Sequence, residues 1–174
     1  MFGICVFNFV LLGECITLQG MDTAGTVLIE EHVRHVLAMM GFGGVTVRCQ
    51  VVGDVMRVDI QAGEQGRLLI GAGGNHLAAL QHILRCLLRS YMDGDVRVVV
   101  DVNGYRMRRE QTLLDLAQEV ARRAQRTGRT VVLRPMSAAD RRAVHTALSG
   151  HKDISTESLG SEPNRRVVVR PVFL

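Results

Sequence analysis

The stretch GRLLIGAGGNHLAALQHILRCLLRS, running from Gly66 to Ser90, sets the strictest condition on how this chain can fold. Glycines crowd its start, and a long apolar-striped run follows. Gly71, Gly73 and Gly74 mark a tight bend, whose backbone, bare of side chains, can be approached closely. In the run that follows, Leu77, Leu80, Leu84, Leu87 and Tyr91 form one apolar stripe, with His82, Arg85 and Arg89 facing outward, which predicts an amphipathic helix. The preceding GEQGRLLI reads as a shorter helix, so the glycines join two helices.

The remaining pattern arranges itself around that bend. From Gly25 to Met40, Val27, Leu28, Val33, Val36, Leu37 and Met40 recur at helical spacing, and Gly41 provides a stop. VTVRCQVV and VMRVDIQA alternate in polarity and are joined by Gly53-Asp54, which predicts an antiparallel hairpin. DVRVVVDV is a third strand. A further helix follows, with Leu113, Ala117, Val120 and Ala124 inward and Gly128 at its end. TVVL is a strand that Pro135 terminates, and Ser137 to Asp140 opens a helix through Leu148 as a near capping box. Two last strands, ISTES and RRVVVRP, enclose the turn LGSEPN. The predicted class is α+β: two small α/β modules over residues 22–103 and 104–174, preceded by an apolar segment at 1–21.

That opening segment, MFGICVFNFVLL, has no basic flank and is too short to cross a bilayer. The expectation is a mis-assigned start with Met21 as the first residue; a buried terminal strand or a membrane-touching tail are the alternatives. No stable membrane insertion is expected. Cys5, Cys15, Cys49 and Cys86 are scattered without a C-x-x-C pair, the usage of free thiols in a reducing cytoplasm. EEHVRH has Glu31 ahead of His32 and His35, the wrong order for a zinc-protease helix. No metal, cofactor or catalytic residue is expected.

Charge divides the chain. Up to residue 95 there are 6 basic and 9 acidic residues, and after it 15 and 8, so the two parts carry −3 and +7. Such asymmetry fits a polyanionic partner for the second part, and equally an arginine-rich soluble surface. Aromatic content is 4%, with no Trp, so stacking platforms that hold successive bases on aromatic rings are not expected.

Two constellations carry the functional reading. Gly71-Ala72-Gly73-Gly74 between helices lets a nucleic-acid backbone lie against bare peptide, with the next helix's N–H groups facing phosphate and Ile70 packing beneath bases. The competing dinucleotide fingerprint would use Gly71 and Gly73, place Asp93 or Asp95 on a ribose, and need a small residue where His76 stands. A helix corner without a ligand is the plain alternative. Further along, Arg141 and His145 are four apart and share a helix face. Arg141 suits a phosphate and His145 a base or a hydrogen bond, the alternative being a boundary histidine and a solvated arginine. Arg142, Arg165 and Arg166 would widen the cationic surface, as would Arg106, Arg108 and Arg109 at an unfavourable helix N-terminus, whereas Arg122, Arg123 and Arg126 suit a helix C-terminus.

RLLIGAGGNHLAALQHIL, set in the order helix-strand-strand-helix-GxxG-helix-strand, resembles a KH domain of the second topological type. DRRAVHTAL followed by STESLGSEPNRRVVV resembles the Arg-three-His single-stranded nucleic-acid-binding domain, and their succession resembles the Jag, or SpoIIIJ-associated, family of bacterial RNA-binding proteins. The resemblance implies a cytoplasmic, non-enzymatic protein that binds single-stranded RNA, and single-stranded DNA as well. It implies a chaperone or post-transcriptional role linked to envelope growth and division, and a smaller single-KH protein as partner. The residues and the resemblance together place the expected RNA contacts at Arg67, Ile70, Gly71, Ala72, Gly73, Gly74, Asn75, Arg141, Arg142, His145, Arg165 and Arg166. Family loops carry a basic residue between the outer glycines; here Ala72 and Gly73 stand there, so attraction rests on main-chain dipoles and Arg67. The other reading is a protein-interaction adaptor at the membrane-insertion machinery.

Overall fold

In the computed structural model, which describes residues 23–89 and 97–172, the first helix α1 spans Thr23–Met39 and ends in a Schellman turn. Gly41 adopts φ 90°, its N–H donates to the carbonyl of Ala38, and the Phe42 N–H reaches back to Leu37 at 2.8 Å, so otherwise orphaned carbonyls find donors. The expected apolar face is partly corrected. Ile29, Val33 and Leu37, each four apart, are buried, while Val27 and Met40 are exposed. The apolar segment at 1–21, Tyr91, Asp93 and Asp95 lie outside the described residues.

β1 (Thr46–Val52) and β2 (Val55–Gln61) form the expected antiparallel hairpin across Gly53-Asp54. After β2 a single 3-10 turn leads into α2 (Gly66–Ile70), the glycine bend, α3 (Asn75–Leu88) and β3 (Arg97–Val102). β3 returns parallel to β2, giving a three-stranded sheet of order β1-β2-β3. Val47, Cys49, Met56, Val58, Ile60, Val98, Val100 and Val102 are buried on it. Each outer strand has a main-chain N–H taken by a helix side chain: Cys49 donates to Glu30 at 2.7 Å and Val100 to Gln81 at 3.2 Å. Those contacts blunt strand edges that would otherwise offer pairing sites.

The buried row of α3 is Leu77, Leu80, Leu84 and Leu88, with Leu87 38% exposed, so the stripe predicted through Leu87 is corrected. Eleven residues past Leu77 the chain has completed three turns with about 20° to spare, whereas ten leave it about 80° short. Leu88 therefore faces the sheet and Leu87 does not.

The contacts divide the chain into two units, residues 1–103 and 104–174. In the second, α4 (Tyr105–Thr127) ends at Gly128 in the left-handed region, as its sequence predicts. β4 (Val131–Val132), α5 (Ala138–Leu148), β5 (Ile154–Leu159) and β6 (Arg166–Pro171) complete it. The sheet order is β4-β6-β5, antiparallel throughout. Leu113, Ala117, Val120, Ala124, Val144, Leu148, Ile154, Val167 and Val169 share one core. Among the described residues no helix is long and apolar enough to cross a membrane.

Candidate nucleic-acid interface

The entry of α2, ahead of the glycine bend, is fixed by Asn103. Its side chain accepts from the Ala62 N–H at 2.9 Å and donates to the Gly63 carbonyl at 2.8 Å, tying the end of β3 to the entry of α2. Asn103 sits at φ 54°, and a Cβ on Gly66 would lie 2.3 Å from its amide nitrogen. Gly66 is thus glycine because Asn103 fills its space.

Gly71 has a similar reason. It adopts φ 70°, and a Cβ there would stand 2.4 Å from the ring of His76, whose Nδ1 donates to the Leu68 carbonyl at 2.7 Å. The body close to Gly71 is the chain's own histidine, which the sequence marks only as an obstacle to the dinucleotide fingerprint. Gly73 differs: it adopts φ 62° and a Cβ there would meet nothing within 4 Å. Gly74 adopts φ 85° and caps α3 with no side chain bonded over the helix start. From Ala72 to Asn75 the chain therefore presents main chain at a helix N-terminus, where positive partial charge gathers. Arg67, Ala72, Gly73 and Asn75 are exposed; Ile70, Gly71 and Gly74 are half-buried. Leu68, 66% exposed beside this bend, carries no signal in the sequence that sets it apart from its neighbours. The bend follows α2 rather than a strand, whereas a dinucleotide fingerprint needs a strand directly before its glycines.

In the second unit α5 and β5 meet through a polar ladder above the core. Ser137 caps α5, its hydroxyl accepting from the Asp140 N–H at 3.2 Å as the near capping box predicts. His145 lies with Nδ1 2.7 Å from the Thr156 hydroxyl and Nε2 2.8 Å from the Ser158 hydroxyl. Both ring nitrogens are engaged, so the ring orients the two hydroxyls together. One turn earlier, Arg141 is buried, and its Nη2 donates to Glu162 Oε1 at 2.6 Å. Its Nε and Nη1 are buried without a hydrogen-bond partner. Arg141 is therefore not the solvated donor its helical position suggests. The structure brings Arg141 and His145 together with Thr156, Ser158 and Glu162, three residues absent from the sequence-based site. The alternation of Thr156 and Ser158 along ISTES is the available signal for two of them. Glu162 carries no such periodicity.

Arg142 and Arg165 are exposed, and half-buried Arg166 pairs with Leu159 across the ladder and donates from Nε to the Asn164 carbonyl at 3.2 Å. Arg109 is corrected: it is not a free surface cation, because its Nη2 bonds Asp140 at 2.7 Å, and that bond raises its pKa further. The Cys49 thiol is pushed up to about 12, first by burial and then by Glu30 and Asp59. Among the described residues no group of three or more His, Cys, Asp or Glu is placed to hold a metal.

Residues 111–171 match the Arg-three-His domain. The chain is similar to the RNA-binding protein KhpB of Clostridium symbiosum, 37% identical over 114 residues, covering 66% of this chain and 51% of that protein. Against KhpB of Bacillus subtilis the identity is 36% over 109 residues, covering 62% and 52%. Against KhpB of Lactiplantibacillus plantarum it is 39% over 102 residues, covering 59% and 32%. The chain spans about half the length of the first two relatives.

Proposed function

We propose that this chain is of the Jag, or KhpB, type, as its Arg-three-His domain and its relatives support, and that it binds single-stranded RNA through two modules. The first is a type II KH module holding about four nucleotides at Gly71 to Gly74. The second is the Arg141–His145 face, which contributes electrostatic affinity together with Arg142, Arg165 and Arg166. Single-stranded DNA shares the phosphate chemistry and binds the second module too.

One observation carries the proposal: uncovered main chain at Gly73, directly before the start of a 14-residue helix that no side chain caps. A phosphate fits there because it needs close backbone approach and N–H donors. Ile70 and exposed Leu68 supply apolar contact for a base. The role in this reading is binding without catalysis, with His145 and the Ser158 hydroxyl, 2.8 Å apart, taken as part of the binding face. It is exercised in the cytoplasm on transcripts that serve envelope growth, with a smaller single-KH protein as partner.

Retention of labelled single-stranded RNA on filters across a salt series tests this. Affinity falls steeply as salt rises for a phosphate-contacting protein. Absence of retention at every salt concentration removes the proposal and leaves the adaptor reading. Gly73→Asp with Gly74→Asp puts negative charge where phosphate lies, and wild-type affinity in that variant removes the loop from the interface.

A further inference from the structure

The guanidinium of Arg141 is buried and meets a single carboxylate. Its side chain is 7% exposed, and Glu162, which takes its Nη2 at 2.6 Å, is 60% exposed. Nε and Nη1 are shut away from solvent with nothing to donate to. A buried charged donor left unpaired is costly, and its persistence asks for an explanation. The neighbouring Arg109 also has a buried Nε without a partner, but its ion pair differs in which member is shielded. Arg109 bonds Asp140, and there the carboxylate is the shielded member, 9% exposed. At Arg141 the cation is shielded and the carboxylate faces water, in the turn between β5 and β6.

A carboxylate oxygen and a phosphate oxygen present the same acceptor to a guanidinium. We infer that Glu162 occupies the anion seat of Arg141 in the unbound protein and leaves it when a nucleic-acid phosphate enters, so that this side chain sets the affinity of the face. The inference rests on the single-stranded RNA reading given above. While Glu162 holds Nη2 a phosphate cannot take that donor, and the exposed carboxylate is the partner that water can readily take up. Binding then exchanges one anion for another, and the freed carboxylate gathers a counterion that partly cancels the release from the phosphate.

The experiment measures binding of the full chain to labelled single-stranded oligouridine across a salt series, alongside the melting temperature. Glu162→Gln keeps a hydrogen-bond acceptor for Arg141 and removes the competing charge. It is expected to bind about tenfold tighter, with a salt slope steeper by about one. Glu157→Gln removes an exposed carboxylate from β5, where it pairs with Arg170 at 3.0 Å, and is expected to leave affinity nearly unchanged. An equal gain from Glu157→Gln marks general charge removal and overturns the inference. So does unchanged or weaker binding by Glu162→Gln at the wild-type melting temperature, because a carboxylate that only supports Arg141 would behave that way. In an Arg141→Gln background that still folds, the gain should vanish, and its persistence overturns the inference as well. Wild-type retention without a gain removes this inference alone; failure of both wild type and Glu162→Gln to retain RNA removes the RNA reading with it.

Discussion

His76 lies over Gly71, its Nδ1 2.7 Å from the Leu68 carbonyl and its ring where a Cβ on Gly71 would be. The carbonyl can only accept, so Nδ1 carries the hydrogen. The bend is thus folded onto itself at its first glycine and open at Gly73.

The two glycines should therefore fail in different ways. Gly71→Ala places a methyl group 2.4 Å from the imidazole at φ 70°, and should cost about 1–3 kcal/mol of stability from strain and displacement of the ring. At Gly73 an added Cβ meets no atom within 4 Å, so Gly73→Asp should cost chiefly the left-handed backbone, about 1 kcal/mol, while repelling phosphate. Denaturant unfolding and filter binding on both variants check this. A strongly destabilised Gly73→Asp with undiminished RNA affinity per folded molecule would reverse the assignment.

Asn103 offers a purely structural counterpart. Asn103→Ala loses the bonds to Ala62 and Gly63 and leaves alanine at φ 54°, where asparagine is better tolerated. The expected loss is about 2–3 kcal/mol, read as a lower denaturant midpoint at an unchanged slope. RNA affinity of the folded fraction should remain within error of wild type.

Thiol reactivity separates the two described cysteines. Cys49 is buried, its pKa pushed up to about 12, whereas Cys86 is exposed on α3. The thiolate is the reacting species, so neutral-pH alkylation followed by peptide mapping should label Cys86 within minutes and Cys49 only on the timescale of unfolding. A thiol with a raised folded pKa resists ionisation until pH passes that value. Folding thus opposes Cys49 ionisation, and alkaline pH above the ordinary thiol range should weaken the native state. Rapid labelling of Cys49 in the native protein at neutral pH would contradict this burial.

Much of the architecture is legible because it depends on period and punctuation. Val47, Cys49, Val58 and Ile60 alternate, and Gly53-Asp54 can only turn, so the hairpin follows locally. Gly41 and Gly128 likewise mark the ends of α1 and α4. The assignment of Leu87 to the α3 core misses by one residue, because adjacent leucines cannot be ranked by hydrophobicity and only the accumulated helical angle separates them. Truncating Leu88 to Ala should accordingly cost about 2–5 kcal/mol and truncating Leu87 far less. The site is legible as two motifs but not as contacts. The bonds from Arg141 to Glu162 and from Arg109 to Asp140 span 21 and 31 residues, distances over which sequence spacing carries no register. That is also why Arg141 reads as a solvated donor when its fork is enclosed.

Arg109 and Arg142 provide the final test, since sequence places both on one cationic surface and the structure separates them. Arg109 is about one-third exposed and bonded to the buried Asp140, and Arg142 is exposed on α5. Arg109→Gln leaves Asp140 without its counter-ion, which should cost about 1–2 kcal/mol once solvent screening is allowed for. Arginine stays protonated throughout the accessible range, so that loss should be the same at pH values well above the ordinary carboxylate range. Arg142→Gln should leave stability within about 0.5 kcal/mol while reducing RNA affinity and lowering the salt slope by about one. Chemical denaturation and salt-dependent binding on the two variants would return opposite patterns. Equal loss of affinity from both, with neither destabilised, would mean that Arg109 reaches RNA and that its bond to Asp140 is incidental.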